Sequence, residues 1–413
     1  MRMIRRVLLA TTLIAVLPAF AGAVEPMEAE VLHWWTSGGE SAGVKVFADR
    51  FAAAGGTWKD TAIAGGANAR NAGINRIVGG NPPTVMQFNT GKQFDELVSN
   101  ELIRDVEDLA QAGKWRELMP KPIVEAATRD GKFYAVPVNI HGQNWLFYNT
   151  KVFADAGVEP PKTWPELLEI GEKLKAKGVI PLALGGQPTW ERNLFSAALV
   201  GHGGPELFRK VYGDRDQASV RGPQFREVAE LYGKLRGLVD AASPGRNWND
   251  ATGLVITNKA GMQFMGDWAK GEFTAAGLTA GKDYGCVIVG QGGEMVIGGD
   301  VFVFPQTEDP AVRATQAKMA EVMLDPVTQL EFNKKKGSIP VRLDVDTSSM
   351  DECAQKGAKA LADPANQVEA VELLSTPDLY NALQDVITQY WNNPGMPVET
   401  FVEKFAGAMQ AAG

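Results

Sequence analysis

The chain has 413 residues, of which 45% are hydrophobic and 22% charged, and its formal net charge is −8. This composition is ordinary for a folded protein, and the length suffices for two hydrophobic cores, so we expect two lobes. The acidic balance argues against nucleic acid or an anionic membrane as the partner, because both carry negative charge themselves.

The amino terminus has the features of a secretion signal. Three Arg precede an apolar run over residues 7–17, and small-x-small cleavage sites follow at 19–21 and 21–23. The run is too short for a dependable membrane span, and no later stretch approaches the required length. We predict a signal peptide over 1–23, whose removal takes the net charge to −11. No Cys lies directly after the cleavage sites, where a lipid anchor would be attached. We therefore expect a freely diffusing protein of the bacterial periplasm.

The first predicted strand, residues 31–35, ends in His33-Trp34-Trp35 and leads into a Gly-rich turn and Glu40. Regular β alternation would send one indole into the core and leave the other half-exposed. An irregular strand end would instead let both rings overhang a cleft. There, indole faces would stack on the C–H face of a neutral sugar while Glu40 binds its hydroxyls. The local sequence leaves both arrangements open.

Apolar spacing predicts the remaining elements in chain order. They are helices over 43–54, 68–78, 163–177, 191–200 and 224–238, strands over 61–64, 84–88, 179–184, 285–289 and 295–304, and a helical end from about residue 346. Alternation of strands and helices indicates a mainly parallel α/β sheet, with ligands at the carboxyl ends of its strands.

A strand-rich segment containing Pro137 interrupts this alternation. Because Pro is confined to sheet edges and crossovers, we place a crossover between the lobes at 137–139. The predicted amino-terminal lobe comprises 24–137 and 298–345. The predicted carboxyl-terminal lobe comprises 138–297 and 346–413. The fold class is thus a two-lobed α/β protein with a central, helix-flanked sheet in each lobe and the ligand between them.

Three later segments add polar and aromatic candidates. Trp268 follows an apolar run and a Gly-Asp pair, so it can cap a strand of the opposite lobe. Asp300 follows Gly298-Gly299, where a ligand can approach the backbone and its hydroxyls can bind the carboxylate. Lys336 ends a helix. The plainer alternatives are an Asp-initiated turn for Asp300 and a favourable carboxyl-terminal charge for Lys336.

Other chemistries have less support. Gly39-Glu40-Ser41-Ala42-Gly43 matches the G-x-S-x-G elbow of esterases, but it follows the first strand of the mature chain, whereas such elbows follow several strands. The three His are far apart, and there is no metal, phosphate or dinucleotide motif, so we expect no metal and no cofactor. A glycoside hydrolase with paired carboxylates stays open as the enzyme alternative.

The two cysteines, Cys286 and Cys353, lie in the exported part, where they can form a disulfide. Two buried free thiols are the alternative. The sequence does not decide between them.

The assembled motifs resemble those of the periplasmic carbohydrate-binding proteins of ABC importers, specifically the glucose/mannose-binding branch of the extracellular solute-binding protein family. The resemblance spans nearly the whole mature chain and rests on the order of its segments. These are WWTSGGE, the strip with Gln87, Asn89 and Lys92, AVPVNIH, NWLFYN, TWPEL, GGQPTW, GDW, GGDVFVFP and KGSIPVR.

The resemblance implies a hinged, two-lobed receptor that closes over a sugar and docks on a permease in the inner membrane. It implies stacking by three indoles and polar contacts from eight further side chains. They are Trp34, Trp35 and Trp268, and Glu40, Gln87, Asn89, Lys92, His141, Gln187, Asp300 and Lys336.

One departure from that branch concerns its carboxyl-terminal His-Gly pair, since QVEAVELLSTPDLY contains no His. Val371 or a neighbour takes that place, which leaves another aldose, a sugar acid or a disaccharide open as the ligand. We therefore predict a non-enzymatic, monomeric receptor that captures glucose or a similar aldose. A receptor that feeds chemotaxis would use the same site.

Overall fold

The computed structural model describes residues 27–290 and 292–412. The predicted signal peptide lies outside the described residues. Strands and helices alternate along most of the chain, with two short 3₁₀ turns at Arg236–Leu238 and Pro364–Asn366. None of the helices within 27–290 and 292–412 has the length and hydrophobicity of a membrane span.

The strands are β1 Met27–His33, β2 Gly56–Ala62, β3 Val85–Asn89, β4 Thr128–Arg129, β5 Lys132–Phe133, β6 Ala135–Pro137, β7 His141–Gly142, β8 Trp145–Asn149, β9 Ile180–Leu182, β10 Ala260–Met265, β11 Tyr284–Ile288, β12 Met295–Gly298, β13 Asp300–Val303 and β14 Gln367–Glu369.

The helices are α1 Gly38–Ala53, α2 Gly66–Val78, α3 Asp95–Ser99, α4 Glu107–Ala112, α5 Trp115–Leu118, α6 Lys121–Ala127, α7 Thr150–Ala156, α8 Trp164–Ala176, α9 Pro188–Tyr212, α10 Gln217–Val220, α11 Pro223–Leu235, α12 Trp248–Ile256, α13 Ala269–Ala275, α14 Pro310–Leu324, α15 Pro326–Lys336, α16 Glu352–Leu361, α17 Val371–Leu374, α18 Pro377–Trp391 and α19 Val398–Ala411.

Two sheets form the centres of two lobes. The first lobe is built on the order β2-β1-β3-β13-β6, and the second on β11-β8-β10-β9. Strand β1 runs parallel to β2 and β3, whereas β13 is antiparallel to both β3 and β6. In the second sheet only β10 and β9 are parallel. The two-lobed α/β prediction is confirmed, but parallel pairing among the described strands is limited to β2-β1-β3, β10-β9 and β12-β14, so the sheets are mixed and not mainly parallel.

The chain passes between the lobes at three neighbouring places. The edge strand β6 ends at Pro137 in the first sheet, and β8 begins at Trp145 in the second. Strand β12 belongs to a small sheet with β7 and β14, and Gly299 separates it from β13. Ile140 and Ile339 exchange two backbone hydrogen bonds of 2.8 and 3.0 Å, which brings the third passage beside the first. These passages are the hinge, and the lobe boundaries assigned from the sequence remain a prediction.

Aromatic side chains pack against the sheet of each lobe. In the first, Phe47 stacks on Phe332 with ring centroids 4.2 Å apart, and Phe302 of β13 packs edge-on to Phe47. In the second, Trp164 stacks on Phe264 of β10 at 4.9 Å. Burying such rings accounts for the rigidity of each lobe, because large aromatic side chains dominate core energetics.

Candidate ligand-binding site

Asp300 is the central acceptor of the hinge. It begins β13 and lies opposite Asn89 of β3 in the ladder, with its carboxylate 3% exposed. The carboxylate accepts hydrogen bonds from four side chains, namely Gln87 Nε2 at 3.1 Å, Asn89 Nδ2 at 3.3 Å, Asn139 Nδ2 at 2.9 Å and His141 Nε2 at 2.9 Å. Burial raises the pKa of Asp300, but His141, the charge of Lys336 and the hydrogen bond from Asn139 lower it below its ordinary value.

Those four donors occupy the four lone-pair positions that a carboxylate offers. A ligand hydroxyl can therefore bind Asp300 only by displacing one of them. The contact from Asn89 is the longest of the set, at 3.3 Å. Asn89 is also the donor whose oxygen already accepts a bond from Arg70 Nη1, at 3.4 Å.

His141 connects the two lobes through two carboxylates. Its Nε2 faces Asp300 of the first lobe, and its Nδ1 contacts Asp267, which follows β10 of the second lobe. Both ring nitrogens face carboxylate oxygens, an arrangement that favours the doubly protonated ring, although Asn139 Nδ2 also lies 3.1 Å from Nε2. Burial lowers the pKa of His141, but Asp267 and Asp300 raise it above its ordinary value. The result is a buried ion cluster spanning the hinge.

The paired indoles separate to opposite faces of the chain. Trp34 is half-buried, whereas Trp35 is 1% exposed and packs against Phe302 and Phe332 with centroids 5.6 and 5.4 Å away. Strand alternation continues past the end of β1, so that His33 and Trp35 share one face. The arrangement in which both rings overhang the cleft is therefore not the one adopted. Trp35 supports the site from the core.

Glu40 caps the amino terminus of helix α1. Its Oε2 accepts from the backbone N–H groups of Thr36 and Ser37 at 3.1 and 3.2 Å, and the Ser37 hydroxyl accepts from the Glu40 N–H in return. This capping box starts α1. The other oxygen, Oε1, lies 3.7 Å from Lys336 Nζ.

Lys336 is a buried cation between two indoles. It ends α15, which Gly337 terminates in the left-handed conformation, and it is 2% exposed. Its Nζ lies 5.6 Å from the ring centroid of Trp35 and 5.8 Å from that of Trp268. Within 27–290 and 292–412 no hydrogen bond from this ammonium is present, so its three N–H donors are available to a ligand.

The second lobe contributes three half-buried indoles. Trp268 lies edge-on to His141 at 4.9 Å, Trp190 is 6.1 Å from Trp268, and Trp248 is 6.2 Å from Trp190. Gln187 accepts from Trp190 Nε1 at 3.1 Å and donates to Asn247 at 2.9 Å, so it orients a ring. The sequence predictions included Trp268 and Gln187 but missed Trp190 and Trp248, although GGQPTW contained the signal for Trp190.

Two of the predicted polar contacts are already committed within the protein. Gln87 accepts from the Trp34 N–H at 3.1 Å and donates to Asp300, which makes it a support for both. Lys92 Nζ donates to the Leu374 carbonyl of the second lobe at 3.2 Å. Arg70, which the predictions did not include, lies with its Cζ 5.6 Å from the Trp34 ring centroid, and burial lowers its pKa.

Residues 35–318 match the profile of the family described as bacterial extracellular solute-binding protein. The chain belongs to that family. A probable sugar-binding periplasmic protein of Brucella suis is 34% identical, with 98% of this chain and 97% of that protein covered. One of Rhizobium meliloti is also 34% identical, with 98% and 100% covered. An uncharacterized ABC transporter extracellular-binding protein of Pyrococcus horikoshii is 30% identical over 81% of this chain and 76% of that protein.

Solved structures share the fold of this solute-binding protein. A chitin oligosaccharide binding protein superposes with a TM-score of 0.79 and 20% identity over 94% of this chain and 99% of that one. Maltose-bound T. maritima MalE3 gives a TM-score of 0.77 and 16% identity, with 93% and 99% covered. The family and the reported relatives are named as binding proteins, so this solute-binding protein is not an enzyme, and the glycoside hydrolase alternative is wrong.

Proposed function

We propose that this solute-binding protein captures a sugar in the cleft between its lobes and delivers it to an ABC importer. The cleft is the region around Trp34, His141, Trp268, Asp300 and Lys336. The relatives from Brucella suis and Rhizobium meliloti are named as probable sugar-binding periplasmic proteins, and they match this chain over nearly its whole length.

The observation that carries the proposal is the grouping of half-buried indoles with buried charged groups at the hinge. The Trp268 ring lies edge-on to the His141 ring, and His141 Nε2 contacts the Asp300 carboxylate. A pyranose has an apolar C–H face and a rim of hydroxyls, so it needs flat aromatic surface and charge-assisted hydrogen bonds together. A hydrophobic core would not place partly exposed indoles beside buried charged groups.

For the ligand we propose glucose or a similar aldose. This finer assignment rests on the order of the sequence motifs, because WWTSGGE, GDW, GGD and KGS occur as they do in the glucose/mannose-binding branch. Trp34 and Trp268 stack on the ring, and Lys336, His141 and Asp300 contact hydroxyls. We assign Gln87, Lys92 and Gln187 to the support of these groups.

Binding proceeds with closure of the lobes about the hinge. Backbone atoms of the two lobes already meet where the Lys92 N–H donates to the Glu372 carbonyl at 3.3 Å. Closure excludes water from the indoles and strengthens the polar contacts. We expect the protein to act as a periplasmic monomer whose closed form docks on the permease.

A thermal-shift screen tests the proposal. The mature chain is heated with hexoses, pentoses, disaccharides and sugar acids, each in large excess. A ligand at 100 times its Kd stabilises the native state by about 2.7 kcal/mol, which raises the melting temperature measurably. We expect a hexose to give the largest rise. The sugar assignment fails if none of these compounds changes the melting temperature.

A further inference from the structure

Arg192 and Glu372 are two buried, oppositely charged side chains that are not joined to each other. Arg192 lies in the first turns of α9 and is 5% exposed, and Glu372 lies in α17 and is 8% exposed. Arg192 Nε and Nη1 have no hydrogen-bond partner among the described residues, and neither has Glu372 Oε2. Leaving such atoms unpaired is costly, which indicates that something else pairs with them.

Both side chains are held in place by their surroundings. The guanidinium of Arg192 lies over the Tyr380 ring, with Cζ 4.4 Å from the centroid. Glu372 Oε1 accepts from Gln143 Nε2, and the Gln143 carbonyl accepts from Asn193 of α9 at 3.2 Å. The free oxygen of Glu372 is therefore presented in a fixed direction, and the Arg192 plane cannot turn freely.

The pair belongs to the cleft and not to a separate part of the second lobe. Gln143, which follows His141 and Gly142 in the chain, donates to Glu372 Oε1, and its carbonyl accepts from Asn193, the neighbour of Arg192. A Cβ added at Gly298, two residues before Asp300, would lie 3.1 Å from Glu372 Oε1. Glu372 also meets the first lobe, because its backbone carbonyl accepts from the Lys92 N–H at 3.3 Å.

The unpaired atoms include donors on Arg192 and an acceptor on Glu372. A hydroxyl group satisfies both at once, because its oxygen accepts from the guanidinium while its hydrogen is donated to the carboxylate. A carboxylate ligand would pair with Arg192 but would face Glu372 without a proton to donate. The combination thus favours an uncharged, hydroxyl-bearing ligand.

We propose that Arg192 and Glu372 together bind one hydroxyl of the sugar, and that this pair selects neutral sugars over sugar acids. The inference rests on the proposed function and names a specificity-determining pair for its ligand. Neither residue stands out in the sequence, where they lie in the segments ERNLF and VELL.

Calorimetric titration of two variants tests the pair. The ligand is the neutral sugar that gives the largest thermal shift with the wild-type chain, together with its monodeoxy analogues and its uronic acid. The variants are Glu372→Gln, which keeps the shape of the side chain, and Arg192→Met. The control is Glu369→Gln, which removes the charge from a partly exposed carboxylate three residues away that pairs with Arg209 at 3.1 Å.

Each variant is expected to lower the affinity by about tenfold or more, because one partner of a buried hydroxyl is lost. The control is expected to stay within about twofold, as exposed pairs contribute little. One monodeoxy analogue should bind the wild type weakly and should no longer distinguish the wild type from either variant. The uronic acid should bind more weakly than the neutral sugar.

Affinities of both variants within about twofold of the wild type would overturn the inference, as would tighter binding of the uronic acid than of its neutral parent. The inference is also overturned if the ratio of wild-type to variant affinity is the same for every monodeoxy analogue. The pair would then affect only the shape of the cleft and would not bind one particular hydroxyl. A wild-type chain that binds none of the sugars instead refutes the proposed function itself. Melting temperatures of Glu372→Gln, Arg192→Met and the control are measured alongside, and values close to that of the wild type are the check that the fold is retained.

Discussion

At the residue scale, neighbouring side chains of the same type have opposite roles. Trp35 is enclosed by Phe302 and Phe332, so Trp35→Ala removes a large side chain from the core. We expect it to lower the free energy of unfolding by about 3–5 kcal/mol. Trp34→Ala and Trp268→Ala should leave that quantity nearly unchanged and weaken sugar binding instead. Urea unfolding and calorimetric titration separate the two effects, and equal stability losses at all three positions would contradict this division.

His141 makes the stability of the hinge depend on pH. Its pKa is raised in the folded state, so its contribution is fully present below the ordinary value of 6.5 and is lost as the pH rises through the raised value. The pKa of Asp300 is lowered, so its contribution is present above its ordinary value of 3.8 and is lost as the pH falls through the lowered value.

We therefore expect the free energy of unfolding to decrease as the pH rises above 6.5, in a step that His141→Gln abolishes. The matched control is His202→Gln, whose residue is exposed on α9 and should keep the step. Urea unfolding of the three proteins over this range is the measurement. A step of equal size in His141→Gln would show that another group titrates there.

The residues of the site differ in how far the sequence predicts them. Asp300 and Trp268 follow Gly-containing turns at strand ends, and this local pattern predicts a place in the cleft for both, which stays a prediction. Arg192 lies in the long helix α9 and Glu372 in the single turn of α17, and both segments have the pattern of ordinary helix faces. These two side chains are brought to one region by the packing of segments about 180 residues apart. A local sequence pattern does not predict such packing.

At the element scale, the amino terminus of α1 lies directly on α13 of the opposite lobe. A Cβ added at Gly39 would be 2.4 Å from the Gly271 carbonyl carbon, closer than any real contact. The Gly39 N–H also donates to Glu272 at 2.8 Å. Closure of the lobes therefore requires a residue without a side chain at position 39.

Gly39→Ala is expected to prevent full closure while leaving each lobe folded. The sugar affinity should decrease by about tenfold or more, and the radius of gyration from X-ray scattering should stay at its unliganded value when sugar is added. Gly38→Ala is the control, because its Cβ would meet its nearest neighbour, Glu272 Oε2, at 3.6 Å. Normal closure of Gly39→Ala would show that this contact does not define the closed state.

A disulfide between Cys286 and Cys353 joins β11 to α16. The sequence left both a disulfide and two free thiols open, and the structure has the disulfide. It closes a loop with a sequence separation of 67 residues. In the chain-entropy treatment, such a loop contributes about 4 kcal/mol. The Cys286→Ala/Cys353→Ala variant should lose about that much in urea unfolding. Because the crosslink lies within one lobe, sugar affinity should not change, and a large loss of affinity would place it in the closing mechanism.

The extents of most elements follow from local apolar spacing, but their arrangement in the sheets does not. The predicted helices over 163–177 and 224–238 agree with α8 and α11 to within a few residues. The position of β13 between β3 and β6 is different, since Asp300 pairs with Asn89 across 211 residues of sequence. The antiparallel insertion follows from the return of the chain through the hinge, which strand–helix alternation alone does not predict.

At the scale of the whole molecule, two rigid lobes and a polar hinge explain why the cleft lies where the lobes meet. Aromatic side chains pack against both sheets, and polar and charged groups collect where the two lobes meet. His141 links these groups at the hinge, because it contacts one carboxylate from each lobe. A sugar hydroxyl that displaces Asn89 from Asp300 would bind to the same hydrogen-bond network that links the lobes.

The most direct test of the account is a crystal structure of the mature chain with the neutral sugar that stabilises it most. The account predicts a pyranose in the cleft, with its C–H face on Trp268, a hydroxyl on Asp300 or Lys336, and another between Arg192 and Glu372. A sugar bound outside the cleft, or a pyranose in the cleft with no contact to Trp268 or to these charged groups, would contradict it.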